Sequence, residues 1–140
     1  ILPNLTEASL LTGLPYRTEH DEGYIKEMLQ ALAALGPRYV ALTGVSFEPD
    51  KLGVMYYDKV TGQYGSYFTQ HLPASFHGTG DVFASTCAGG LMRGLELGDA
   101  LALAADYTVE SIRCTLESPD ANWYGVEFER AIPYLVQRLN

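Results

Sequence analysis

The chain has little with which to cross-link itself, enter a membrane or hold a polyanion. Only two cysteines occur in 140 residues, Cys87 and Cys114, too few for a disulfide scaffold and without the paired spacing of a zinc site. No apolar run approaches the roughly 18 residues that a membrane span requires, and the opening residues carry no basic-then-apolar leader. Basic side chains are scarce: 9 Lys and Arg stand against 17 Asp and Glu, a formal net charge of −8. Adhesion to nucleic acid or anionic membrane rests on clustered Lys and Arg, so neither is expected as a partner. Internal repeats and low-complexity tracts are absent as well. What the chain does have is core-forming material, 47% apolar against 19% charged residues, enough for one domain. The balance predicts a single soluble, cytoplasmic, acidic domain.

Local patterns predict alternating helices and strands. Asn4 to Thr12 reads as a short helix, with Asn4 as cap, Glu7 three residues later as in a capping box, and Gly13 as terminator. His20 to Leu35 places Ile25, Met28, Leu29, Leu32 and Leu35 on one face, and Gly36-Pro37 ends it. Tyr39 to Leu42 is a continuous apolar run, expected to be a doubly buried strand with parallel neighbours, stopping at Thr43-Gly44. Gly53 to Asp58 and Gln63 to Thr69 form a Tyr-rich hairpin turning through Lys59 to Gly62.

A helix is expected from Gly78 to about Leu95, its small residues Ala84, Ser85, Ala88 and Gly89 packed closely against neighbours. Gly98 is expected to end it and Asp99 to cap the next, whose stripe is Leu101, Ala105, Thr108, Ile112 and Leu116. A loop from Ser118 to Gly125 then precedes a last helix from about Glu127 to Leu139, bent at Pro133. Parallel strands need crossovers of a dozen or more residues, and the helices outnumber the strands they would cover. Residue 1 is Ile, and Ile1-Leu2-Pro3 reads as the end of a strand already under way. The expectation is therefore α/β architecture with an incomplete sheet, an upstream half of the same domain being absent.

The residues with the strongest chemical signal are Gly78-Thr79-Gly80-Asp81, at a loop-to-helix junction. Glycines let backbone approach a ligand, and the first turn presents unpaired N–H groups to an anion. Asp81 in that turn is either a helix-start carboxylate or a general base taking a proton from an attacking hydroxyl. Pro3-Asn4-Leu5-Thr6-Glu7 and Thr43-Gly44 both close strands at one carboxyl edge, where open α/β sheets place ligands. Asn4 and Glu7 also fit a plain capping pattern, and Thr43-Gly44 a plain turn. His77 is most simply a turn residue, and Cys87 and Cys114 packing residues. The tyrosines suit a hairpin better than base stacking, since no basic groove accompanies them.

In this order, Leu2-Pro3-Asn4-Leu5-Thr6-Glu7-Ala8, Ala41-Leu42-Thr43-Gly44-Val45 and Phe76-His77-Gly78-Thr79-Gly80-Asp81-Val82-Phe83-Ala84-Ser85 resemble the pyridoxal and pyridoxamine kinases of the ribokinase-like superfamily. The likeness is to their C-terminal half. It implies a three-layer α/β/α fold with a β-hairpin, and transfer of the ATP γ-phosphate to the 5′-hydroxymethyl group of a vitamin B6 vitamer. By that resemblance Asp81 is the base, and Gly78, Thr79 and Gly80 form an anion hole. Asn4, Glu7, Thr43, Gly44, Thr79 and Gly80 serve the nucleotide. Glu7 acts on Mg2+ through water, and the helix around Tyr107 to Ser111 borders the adenine. A monovalent cation and a homodimer also belong to that pattern. The resemblance further implies that the missing half carries the substrate flap, so that the 140 residues alone are inactive. Hydroxymethylpyrimidine kinases are close relatives that often share a His before Gly-Thr-Gly, as His77 stands here, but carry Cys at the position of Asp81; such a kinase, a sugar kinase of the same superfamily and a non-catalytic nucleotide-binding half-domain are the alternative readings.

Overall fold

The computed structural model describes residues 1–72, 76–119 and 125–140. Two compact units make up the chain, Ile1–Phe68 and Thr69–Asn140. Among the described residues, no helix is long and apolar enough to cross a membrane.

The first unit begins with an extended segment, Ile1 to Asn4, and helix α1, Leu5–Thr12. Asn4 accepts from the Glu7 N–H at 2.8 Å while Glu7 accepts from the Asn4 N–H at 2.9 Å. This reciprocal capping box and the left-handed Gly13 at φ 77° close the helix at both ends as expected. Helix α2 spans Glu22–Ala33, capped by Asp21, and buries Ile25, Met28, Leu29 and Leu32. Leu35 lies beyond the helix end and is 57% exposed, a departure from the expected stripe. Each fully buried Leu or Met on this face contributes about 1.5–3 kcal/mol of transfer free energy.

Strands β1 (Tyr39–Val45), β2 (Lys51–Asp58) and β3 (Gln63–Gln70) form a sheet in the order β1-β2-β3. β1 pairs antiparallel with β2, Val40 opposite Tyr57 and Leu42 opposite Met55. The expected parallel neighbour exists on one side only. There Ala41 N–H donates to the Ile1 carbonyl at 3.0 Å and Thr43 N–H to the Pro3 carbonyl at 3.1 Å, with a parallel bridge between Asn4 and Thr43. An apolar run satisfies burial in either strand direction, so the sequence pattern did not separate the two. β1 also continues past Thr43 to Val45, with an irregularity in the pairing where Gly44 takes φ 73°. The core of this unit gathers Leu5 and Ala8 of α1, the buried face of α2, Val40, Leu42 and Val45 of β1, and Met55 of β2. At the end of the sheet, Arg38 donates two hydrogen bonds to Asp58 and holds its carboxyl below the usual range.

The hairpin depends on two glycines of different kinds. A Cβ at Gly53 would lie 2.2 Å from the Tyr67 carbonyl oxygen, which is backbone, whereas at Gly65 it would meet the Tyr56 ring at 2.2 Å. Tyr56 can swing aside and the Tyr67 backbone cannot without breaking strand pairing. Gly53→Ala should therefore cost roughly 3 kcal/mol in urea denaturation and Gly65→Ala about 1 kcal/mol. Equal losses at both positions would contradict this packing.

The second unit is helical. Helix α3 spans Thr79–Met92 and helix α4 spans Leu97–Glu117. The break between them falls earlier than Gly98: Arg93 caps α3, Gly94 takes φ 91°, and Glu96 is the N-cap of α4, so Gly98 and Asp99 sit inside its first turn. The small residues of α3 also divide differently from expectation. Cys87 and Gly90 are buried, while Ala84, Ser85, Ala88 and Gly89 are exposed. Gly90 permits the close crossing, since a Cβ there would sit 3.2 Å from that of Ala100. On α4 the buried set includes Ala100, Ala104, Tyr107, Ser111 and Thr115, not the expected Thr108, Ile112 and Leu116. Ser111 and Thr115 tolerate burial because each hydroxyl donates to the carbonyl four residues earlier, at 2.8 and 2.7 Å. A 3-10 turn, Phe128–Ala131, leads into helix α5, Ile132–Leu139. Pro133 lies in the first turn of α5, where a missing N–H costs nothing, and so it starts the helix instead of bending it.

Candidate active site

The first unit brings the Asn4 and Thr43 positions side by side. Pairing of Ile1–Asn4 with β1 aligns their carboxyl ends, so the start of α1 and the Thr43-Gly44 bend share one edge. Both Asn4 and Glu7 are exposed, and both are engaged in the capping box. The structural role read from the sequence is therefore real. It uses one Glu7 oxygen, Oε2, and leaves Oε1 without a hydrogen bond to any described residue. Glu7 is also the sole charged side chain lining a groove of about 460 Å³ with Ile1, Leu2, Pro3, Leu10 and Leu11.

Among the described residues, no group of three or more His, Cys, Asp or Glu could cage a metal ion. Magnesium does not need such a cage: it keeps several waters and is held through one or two carboxylates together with substrate phosphates. A single carboxylate with one open oxygen fits a water-mediated contact.

The second unit holds Gly78 to Asp81. Gly78 is the N-cap of α3 at φ 90°, a left-handed conformation that favours glycine, and no side chain caps the helix. The first intrahelical bond runs from the Val82 N–H to the Gly78 carbonyl at 2.9 Å. The Thr79, Gly80 and Asp81 N–H groups consequently have no intrahelical partner, and the positive end of the helix dipole adds to their pull on an anion. The preceding loop is pinned by the Val126 N–H on the His77 carbonyl at 3.2 Å and by the Thr79 hydroxyl on the Phe76 carbonyl at 3.3 Å. Val126 is buried and backs Gly78, its Cγ1 3.9 Å from where a Cβ would stand.

Gly80 differs from Gly78. It has ordinary helical φ, and a Cβ there would meet nothing within 4 Å. The fold of this chain does not require glycine at position 80; close approach of a ligand to the backbone would. Asp81 is exposed in the same turn, and among the described residues no donor engages its carboxylate. The His77 side chain is exposed.

Other sequence candidates separate from the site. Tyr107 is buried with its hydroxyl on the Phe128 carbonyl at 2.8 Å, and Ser111 is fully buried, so packing within the unit takes up that face of α4. Burial pushes the Cys87 thiol up, and burial together with Glu110 does the same for Cys114, so neither is an activated nucleophile. Trp123 and Tyr124 lie outside the described residues. Sequence reasoning missed Val126, which no local pattern marks, and Gly90, whose neighbour Gly89 carries the same signal.

Comparison with known proteins shows what the chain is similar to. A protein of Bacteroides thetaiotaomicron assigned to the phosphomethylpyrimidine kinases, solved with pyridoxal, is 34% identical over 96% of this chain and 48% of its own, with TM-score 0.88. A pyridoxal kinase from Lactobacillus plantarum is 31% identical over 97% of this chain and 48% of its own, with TM-score 0.83. An ADP complex of Bacillus subtilis pyridoxal kinase is 26% identical over 89% and 45%, with TM-score 0.72. The chain thus spans about half the length of the solved relatives it matches, consistent with part of a ribokinase-like domain. No curated protein matches it. The phosphomethylpyrimidine kinase family model matches residues 1–123, and the chain belongs to that family.

Proposed function

We propose that this chain contributes the phosphate-handling half of an ATP-dependent kinase that phosphorylates the 5′-hydroxymethyl group of a vitamin B6 vitamer. The observation that carries the reading is the mouth of α3: N–H groups with no intrahelical partner behind a left-handed Gly78, and in the same turn an Asp81 carboxylate that no donor engages among the described residues. In the transfer, the acceptor hydroxyl oxygen forms a bond to the γ-phosphorus as the bond to the ADP oxygen breaks. Asp81 takes the hydroxyl proton. The Thr79, Gly80 and Asp81 N–H groups hold the oxygens on which charge gathers, at no reorganisation cost because the helix fixes them.

Asn4, Glu7, Thr43 and Gly44 are assigned to the nucleotide side. Glu7 would hold Mg2+ through water from its open Oε1, and the ion, when bound, offsets phosphate charge. The capping box fixes the Glu7 side chain against the Asn4 backbone, so that oxygen is presented from a defined place.

A hydroxymethylpyrimidine is the second reading, favoured by the description of the matching family. Pyridoxal in the Bacteroides relative and Asp81 in place of Cys favour B6. The test is a chimera in which this chain replaces the matching half of the Bacteroides protein, assayed for ATP consumption with pyridoxal, pyridoxamine, pyridoxine and hydroxymethylpyrimidine. Turnover with a B6 vitamer at least tenfold above the pyrimidine is expected. The reverse order would assign the chain to pyrimidine phosphorylation, and turnover with none of the four would remove the kinase reading.

A further inference from the structure

We infer that Thr115 is a positioning residue for the Gly78 turn, acting through Val126 and Glu127; its bearing on catalysis rests on the phosphate reading of that turn given above. The first argument is that the turn has little anchorage of its own. Gly78 starts α3 in a left-handed conformation with no side-chain cap, and glycine is the residue with the most backbone freedom to lose. The local tie, the Thr79 hydroxyl on the Phe76 carbonyl, is long at 3.3 Å. Donors that stabilise developing charge must be fixed in advance, so the support has to come from elsewhere. Val126 supplies it: its N–H reaches the His77 carbonyl at 3.2 Å, and its side chain stands behind Gly78.

The second argument is how Val126 is itself held. The adjacent Glu127 N–H donates to the Thr115 hydroxyl oxygen at 2.8 Å, and that hydroxyl donates to the Ser111 carbonyl at 2.7 Å. The Glu127 carboxylate accepts from the Ser118 hydroxyl and from Arg130, each at 3.3 Å, and Arg130 also donates to the Cys114 carbonyl at 2.8 Å. Residue 127 is thus tied to the end of α4 through both its backbone and its side chain. The third argument is residue type. Ser111 and Thr115 are both fully buried, but the Ser111 hydroxyl serves its own helix, whereas the Thr115 hydroxyl also accepts from outside it. An apolar residue of the same shape would suit a buried site at least as well. It would leave the Glu127 N–H without this acceptor.

The test compares Thr115→Val, which keeps the shape without the hydroxyl, with Thr115→Ser, which keeps the hydroxyl, and with Ser111→Ala. The first readout is hydrogen exchange in the 140-residue chain at the Val126 and Val82 amides, which donate to the His77 and Gly78 carbonyls. Thr115→Val should speed both by ~10-fold. Thr115→Ser should restore the original rates, and Ser111→Ala should leave them within about twofold. Arg130→Ala, at an exposed position, removes the side-chain tie and should speed both by ~3-fold; it carries the test if Thr115→Val does not fold. In the chimera, Thr115→Val should lower kcat by ~10-fold with the KM for ATP within about threefold, and Thr115→Ser should recover it. A Val82 amide unchanged in Thr115→Val, or in Arg130→Ala where the valine variant is unfolded, would overturn the inference. So would a Ser111→Ala variant that exchanges as fast as Thr115→Val, or normal kcat for Thr115→Val in an active chimera. The expected exchange rates together with a chimera that turns over none of its substrates would uphold Thr115 as the support of the turn and remove the kinase reading alone.

Discussion

Replacing Asp81 with Asn in the chimera should lower turnover by ~10²–10⁴-fold while leaving the KM for ATP within about threefold. The split follows from position. Asp81 is exposed in the first turn of α3; an amide there keeps size and polarity, and the Asp81 N–H still points toward the anion. What is lost is the ability to accept the hydroxyl proton as it leaves. If Asp81 were only a helix-start carboxylate, Asn should cost no more than a few tenths of a kcal/mol of helix stability and leave turnover near normal. Near-normal turnover would therefore return residue 81 to a structural role.

Gly80→Ala should separate folding from function in the opposite sense from Gly78→Ala. At position 80 the backbone is helical and the space beside it is open, so alanine should stabilise the chain by about 0.5–1 kcal/mol. On the proposed reading the added methyl would stand where phosphate oxygens approach the backbone, and turnover should fall by ~10²-fold or more because the phosphate is held off the preorganised donors. At position 78 the φ of 90° is unfavourable for alanine, and that variant should lose about 1–2 kcal/mol of stability as well as activity. Thermal denaturation and turnover measured on both variants decide the matter. A Gly80→Ala variant that is stable and fully active would show that no ligand comes close there.

Local rules served well where the determinants are local. The Asn4-to-Glu7 box and the Gly13 terminator are complete within ten residues, and the buried face of α2 follows from spacing alone. The Gly78 junction was legible for the same reason: glycine and the start of an apolar helix are adjacent in sequence. Expectation failed where burial depends on what crosses a surface. Both sides of α3 carry small residues, and only the position of α4 decides that Cys87 and Gly90 face inward. On α4 the expected Leu101 and Ala105 are buried, but farther along Ser111 and Thr115 take the inward places expected of Ile112 and Leu116; they look polar in the sequence, yet their hydroxyls are satisfied within their own helix. β1 has the expected parallel neighbour in Ile1–Asn4 but an antiparallel one in β2, because an apolar run records burial and not the polarity of the chain. The support that Val126 gives to the Gly78 loop spans nearly fifty residues and leaves no local trace.

The central claim is that phosphate binds at the mouth of α3. The most direct measurement is a titration of the 15N-labelled chain with Mg-ATP and, as a control, with adenosine, following backbone amides by NMR. The Thr79, Gly80, Asp81 and Val82 amides should shift with Mg-ATP and stay still with adenosine. Unmoved amides at saturating Mg-ATP, with shifts confined to other parts of the chain, would contradict it.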